Sequence, residues 1–392
     1  MKKSLFALAA VGAFAGVAQA QSSVTVYGLV DAGVAQTNID YNSNQKQSQT
    51  NIGGLPSGNG TGTLSGSRLG FRGIEDLGGG NRAGFVLETA VNFVNSTATT
   101  TAATMTDSAS AANGSALFAN VRQAYASLGN SKFGELRIGT QNTLAKDSTE
   151  GFDPLAGPNI TGSGSLYQQG LVTRMSNVAT YQAPTMSGVT LRLQTAVDGT
   201  ASNNGGSTAA NATPTSNRMS SAAIDFTQGK IKVGAVYERR TTWYQAAGTA
   251  SSMVALGTNG TSTQVTPVIN YYAIGASYDF GMVKPSILFF SQSGENPAAQ
   301  AGAGKTSGTL LGVTVPVNPV FSIFASYTPG KVENNNTTLY DTNGMQLAAN
   351  YALSKRTGIY AAYGQTNWET NQAATTASVN VQQFGIGMRH TF

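Results

Sequence analysis

Charged side chains make up only 10% of this 392-residue sequence, so those inside patterned segments stand out as places where chemistry could occur. In the run Ser67-Arg-Leu-Gly-Phe-Arg-Gly73, Arg68 and Arg72 share one face of an extended segment while Leu69 and Phe71 share the other. Glu135 and Arg137 alternate in the same way with Leu136 and Ile138, and Glu88 falls opposite Phe85, Leu87 and Thr89. Three more carboxylates, Asp147, Glu150 and Asp153, lie in a stretch whose Gly151, Pro154, Gly157 and Pro158 permit sharp bends. Fixed charges of this kind act through their field: they order water and sort solutes by charge. Covalent chemistry has little support. There is no cysteine, and the single histidine, His390, sits in an apolar series at the end of the chain, where an aromatic-belt position suits it better than general-base work. The carboxylates do not cluster as zinc ligands, and a carboxylate-pair hydrolase has no positive support. The sequence reads as a non-enzyme, and no cofactor or metal is expected.

The segments that carry these charges read as strands. In Phe384-Gly-Ile-Gly-Met-Arg-His-Thr-Phe392 every second residue is bulky and largely apolar, while Gly385, Gly387, Arg389 and Thr391 are small or polar. Val24, Val26, Val30, Ala32 and Val34 alternate with Thr25, Tyr27 and Asp31, and Ile231, Val233, Ala235 and Tyr237 with Lys232, Gly234, Glu238 and Arg240. Short turns are expected at Asp76–Asn81, Gly129–Gly134, Pro184–Gly188, Gln228–Lys230, Phe280–Met282, Val317–Pro319 and Ser354–Thr357. Opposite them lie long polar loops: Gln36–Gly66, Ser96–Ser115, Asn142–Thr173, Gly199–Asn217 and Trp243–Asn270, with shorter ones near Ser293, Glu333 and Thr370. Seven turns and eight loops connect sixteen antiparallel strands. Val379 and Val381 fall out of phase with Phe384–Phe392, which predicts a bulge or a late strand start near Gln382-Gln383 and a short closing ladder against Val24–Val34.

An all-β closed barrel with short turns at one rim, long loops at the other and an apolar outer face is the outer-membrane pattern. The 47 glycines and a mean hydropathy of −0.12 suit a wet interior better than a packed one. No fixed repeat of 20 to 50 residues supports a β-helix or a repeat adhesin. Lys2, Lys3, the apolar run Leu5–Val17 and Ala18-Gln19-Ala20 predict an export signal over residues 1–20, leaving 21–392 as the barrel. That apolar run is too short for a spanning helix, which needs roughly 20 residues. A formal charge of +5, two units of which belong to that signal, is too weak to suggest nucleic acid.

Taken in order, several motifs carry a family resemblance: Ser23-Val-Thr-Val-Tyr-Gly-Leu-Val-Asp-Ala-Gly33, Ser67–Gly80, Arg122-Gln-Ala-Tyr125, Phe133-Gly134, Asn177–Pro184, Leu353–Thr357 and Gly387–Phe392. The chain resembles the trimeric general porins of Gram-negative bacteria, in particular their β-proteobacterial branch. The resemblance implies a 16-stranded transmembrane barrel in the outer membrane, assembled as a homotrimer. Its third loop, here Asn142–Thr173, would fold inward to set carboxylates (Asp147, Glu150, Asp153) against an arginine wall. Arg68 and Arg174 match ladder positions. Where many relatives carry Gly-Arg-Gln, this chain has Gly139-Thr140-Gln141, so one rung is missing, and Arg122 or Arg137 would have to replace it. Arg72 and Glu88 are further lumen candidates, and terminal Phe392 resembles the family's assembly signal. The implied partners are the protein itself, membrane lipids and lipopolysaccharide, and small hydrophilic solutes passing with a weak anion preference. A channel selective for one anion or organic acid, and a surface adhesin or receptor built on the long loops, remain alternatives.

Overall fold

The computed structural model describes residues 23–41, 45–53, 63–91, 118–157, 159–168, 171–197, 201–203, 214–244, 268–295, 304–334, 337–371 and 378–392. The expected export signal, residues 1–20, and most of the long loops lie outside these residues.

The strands are β1 (Ser23–Tyr41), β2 (Gln45–Gly53), β3 (Arg68–Gly78), β4 (Asn81–Val91), β5 (Phe118–Asn130), β6 (Gly134–Asn142), β7 (Val172–Gln182), β8 (Val189–Ala196), β9 (Ala201–Asn203), β10 (Pro214–Gln228), β11 (Ile231–Tyr244), β12 (Val268–Tyr278), β13 (Lys284–Glu295), β14 (Gly304–Asn318), β15 (Phe321–Asn334), β16 (Thr337–Ala352), β17 (Thr357–Thr370) and β18 (Val379–Thr391). Two short helices, α1 (Leu144–Glu150) and α2 (Ser163–Tyr167), lie between β6 and β7. β2 and β3 pair with the upper and lower halves of β1, and β8 and β9 divide β7 in the same way. These 18 segments therefore form a 16-stranded antiparallel barrel. Pairing of β18 with β1 closes the wall, which satisfies backbone polar groups that would otherwise face hydrocarbon.

All seven expected turns are present, and alternation sets the faces. Leu87, Ile138, Leu193, Ile274 and Leu347 are exposed on the outside, while Glu88, Gln194 and Gln346 are buried inside. Two sequence expectations fail. Gln36–Gly66 is not all loop: β1 runs on to Tyr41 and returns as β2, because ladder hydrogen bonds hold a polar Asn/Gln/Ser hairpin without needing an apolar face. The second concerns the seam. β18 has no bulge at Gln382-Gln383; it pairs without a register break with Leu29–Tyr41 from Val379 to Thr391 on one side and with β17 from Val379 to His390 on the other. Val379 and Val381 lie on the lumen face of this strand, so the phase break is a change in which face carries the apolar residues. The closing ladder is correspondingly long, and it sits farther along β1 than Val24–Val34. Phe392 extends it through reciprocal 3.1 Å backbone bonds with Gly28, and its ring covers Gly28, where any Cβ would collide with it.

The largest buried apolar cluster among the described residues lies between the third loop and the barrel wall. Leu144, Phe152 and Tyr167 of the loop meet Val236, Tyr271 and Phe290 of the wall. Close approach is possible because the wall has no side chain where the loop touches it. A Cβ at Gly275 would stand 2.5 Å from the Phe152 ring, and one at Gly344 would stand 2.6 Å from the backbone of Gly162. Glycine in these strands thus makes a smooth bed for an internal loop.

Candidate functional site

The third loop leaves β6 and re-enters β7 through a closed neck. Thr143 N–H donates to the Thr173 carbonyl (3.1 Å) and Thr143 Oγ1 to the Val172 carbonyl (2.6 Å). The same Thr143 side chain caps α1 by accepting from Lys146 N–H (3.2 Å), which starts a helix there. From the neck, α1 packs on β10, β11 and β12, and α2 packs on β14 to β17, so the loop crosses the lumen. Its far end is tied down by Gln383, which accepts from Thr161 N–H (3.1 Å), by Gln346, which donates to the Ile160 carbonyl (2.6 Å), and by Ser163, which donates to the Gly344 carbonyl (3.0 Å). The residue at the expected break in β18 is thus one that holds the loop.

The arginine wall stands on β3, β5 and β7. Arg122 reaches the lumen through a β-bulge: Glu88 pairs with Gln123 and Thr89 with Val121, leaving Arg122 as the extra residue. Its Nε donates to Glu88 Oε1 at 2.6 Å, and Tyr27 donates to the other Glu88 oxygen at 3.1 Å. Arg68 and Arg174 both lie within Coulombic reach of Arg122, Glu88 and Glu150. Arg68 donates to Ser65 Oγ at 2.5 Å. The Nε groups of Arg68 and Arg174 are buried and have no hydrogen-bond partner among the described residues. Across the gap, Glu150 pairs with Lys146 and accepts from Gln168 at 3.0 Å.

The structure therefore brings Arg68, Arg122, Arg174, Glu88 and Glu150 together. Each of the two acids has a cation of its own, while Arg68 and Arg174 have no carboxylate ion pair among the described residues. The other candidates sit apart from this cluster. Arg72 is four residues nearer the short turns than Arg68, over the Tyr27 ring at 5.5 Å. Arg137 is bound to Glu135 at 3.1 Å, and Glu135 also takes Arg82 at 2.9 Å. Asp147 accepts from Asn142 at 2.9 Å and faces Arg192 at 3.9 Å. Asp153 turns into its own loop, accepting from Leu155 N–H (3.0 Å), Gly157 N–H (3.1 Å) and the Tyr167 hydroxyl (2.9 Å). Burial pushes its carboxyl up to about 6.

Sequence reasoning missed the anchors under α1. Arg192 on β8 binds Asp225 at 2.6 Å and Ser148 Oγ at 3.1 Å, and Lys232 on β11 lies over the Phe152 ring at 5.0 Å. The alternation Leu191-Arg-Leu193 already put Arg192 on the lumen face; only its partner loop was invisible.

A closed membrane barrel whose lumen is crossed by a loop facing an arginine wall is a diffusion channel. Residues 7–371 match the family described as Gram-negative porin, and the chain belongs to that family. It is an outer-membrane porin, a channel for passive diffusion of small hydrophilic solutes. Over the full length of both proteins it is 28% identical to an outer membrane porin protein of Bordetella pertussis and 29% identical to outer membrane porin protein 32 of Delftia acidovorans. These relatives are channels. Among solved structures, the anion-selective porin from Comamonas acidovorans matches with a TM-score of 0.70 at 22% identity, covering 95% of this chain and 100% of that one. The trimer form of OmpT of Vibrio cholerae matches at 0.62 and 14% identity, covering 95% and 99%. Both likenesses speak for the fold.

Proposed function

We propose that this porin prefers anions, and that the preference comes from Arg68 and Arg174, the two constriction cations without a carboxylate ion pair among the described residues. Arg122 supplies the rung absent at Thr140, though Glu88 offsets its charge. Glu150 and, more weakly, Asp147 form the opposing acidic side, while Arg72 and Arg137 line the approach. Asp153 shapes the loop. The resemblance to trimeric porins supports a homotrimer, with lipid and lipopolysaccharide around it and residues 1–20 removed on export. The protein works without catalysis, and Phe392 serves assembly. The Nε donors of Arg68 and Arg174, without a partner among the described residues, also favour a second reading, a weak binding site for a solute carboxylate or phosphate.

The experiment is the reversal potential of Arg68→Gln/Arg174→Gln in a planar bilayer under a salt gradient. Each unpaired charge, felt at ~6 Å through water and screened at ~0.1 M salt, favours an anion by ~0.4 kcal/mol and disfavours a cation equally, so losing two lowers the anion-to-cation permeability ratio about tenfold. An unchanged potential would remove these residues from the selectivity mechanism. Current block that saturates with added organic acid would favour the second reading; linear conductance would remove it.

A further inference from the structure

Two arginines lie on the wrong side of the wall for conduction. Arg218 on β10 and Arg239 on β11 fall on the outward face, in phase with Ser220, Ala222 and Tyr237, and both are exposed. Neither makes an ion pair among the described residues, and the nearby acids Asp225 and Glu238 point inward to Arg192 and Arg240. Arg239 is paired directly with Ser220, and Arg218 is the diagonal neighbour, which puts their Cα atoms ~7–8 Å apart.

Their height is informative. Arg239 is eight residues above the short turn at Ile231 and Arg218 ten above Gln228. At ~3.4 Å per residue and a tilt of ~40°, that is ~21 and ~26 Å of height, the outer edge of an apolar band ~25 Å tall. Below them runs an apolar groove of about 370 Å³ on the same outward face, with a floor of Ala179, Thr195, Ser220 and Ala222 between Leu193 and Tyr237. Because the strands are tilted, this groove slants from the arginine pair down toward the bilayer midplane.

We propose that Arg218 and Arg239, with the groove beneath them, form a binding site for a phosphate-bearing lipid of the outer leaflet, the phosphate held by the two guanidiniums and an acyl chain lying over Ser220 and Ala222. This rests on the outer-membrane reading, which puts the long-loop rim outside. Guanidinium is the cation that matches phosphate geometry with paired N–H donors. Small residues under a headgroup site leave room for a chain that bulky neighbours would otherwise fill.

The test is native mass spectrometry of the full-length protein in detergent, titrated with diphosphorylated lipid A and with the same lipid after removal of its phosphates. Three proteins are compared: wild type, Arg218→Gln/Arg239→Gln, and Ser220→Phe, which fills the groove but keeps the charges. The proposal expects wild type to bind the phosphorylated lipid at least tenfold more tightly than the phosphate-free one, the arginine variant to lose that advantage, Ser220→Phe to bind both lipids more weakly than wild type, and single-channel conductance to stay unchanged in all three. Equal retention by wild type and the arginine variant would overturn it, as would equal binding of the phosphate-free lipid. Lipid binding with no conductance would count against the channel reading while leaving this site standing.

Discussion

Replacing Gly275 by alanine tests whether the third loop rests directly on the barrel wall. The new methyl carbon would stand 2.5, 2.7 and 2.8 Å from three carbons of the Phe152 ring. Carbon atoms are comfortable at ~3.5–4.0 Å, so the ring has to retreat by about 1 Å. Ladder bonds fix β12 on both sides, whereas the loop is held by scattered side-chain contacts, so the loop is the body that yields. Its only free direction is into the lumen, toward Arg68 and Arg174. Overpacking of this kind costs ~1–3 kcal/mol. The expected result is a lower single-channel conductance, an unchanged sign of selectivity and a lower thermal unfolding temperature. Gly294→Ala on β13 is the control, since the nearest atom would be 3.9 Å from its methyl. If Gly275→Ala matched wild type in both conductance and thermal stability, the loop would not be pressed against this wall.

Further predictions concern charge and closure. Glu88→Gln leaves Arg122 unmatched as a third constriction cation, so reversal potentials should move toward stronger anion preference; a shift toward cations would contradict the charge balance described. Asp153, with its carboxyl raised to about 6 against an ordinary value of 3.8, is protonated in the folded loop while still ionised in an unfolded one between those two values. The loop is therefore favoured at the acid end and loses ~3 kcal/mol of that advantage as pH rises from about 4 through 6. Hydrogen exchange of residues 144–167, corrected for intrinsic rates, should be slower at pH 5 than at pH 7 in wild type and lose that difference in Asp153→Asn; an identical pH profile in the variant would assign it elsewhere. Deleting Phe392 removes two backbone bonds and the ring over Gly28, so the folded fraction in outer membranes should fall while the channels that do form keep wild-type selectivity.

Strand number, turn positions and the faces of Arg68, Glu88 and Arg137 were legible because side-chain alternation and turn chemistry are local properties. What depended on distant partners was not. Arg122-Gln-Ala-Tyr reads equally well in either phase, and only pairing with β4 reveals the bulge that turns Arg122 inward. The same holds at the seam, where Gln383 looked like a defect because the loop that it binds is 222 residues away. Asp147, Glu150 and Asp153 were equivalent on composition, yet α1 presents Glu150 to the arginines while the following turn wraps Asp153 in its own amides. Helices α1 and α2 went unread because five to seven residues carry too little periodicity to register.

In the proposed mechanism, Arg68 and Arg174 leave the constriction with an uncompensated positive charge. The most direct test is the reversal potential of the wild-type channel in a planar bilayer across salt gradients of rising mean concentration. Anion preference should be clear at low salt and fade toward 1 M, where the screening length falls to ~3 Å. Cation preference at low salt, or a selectivity indifferent to ionic strength, would contradict it.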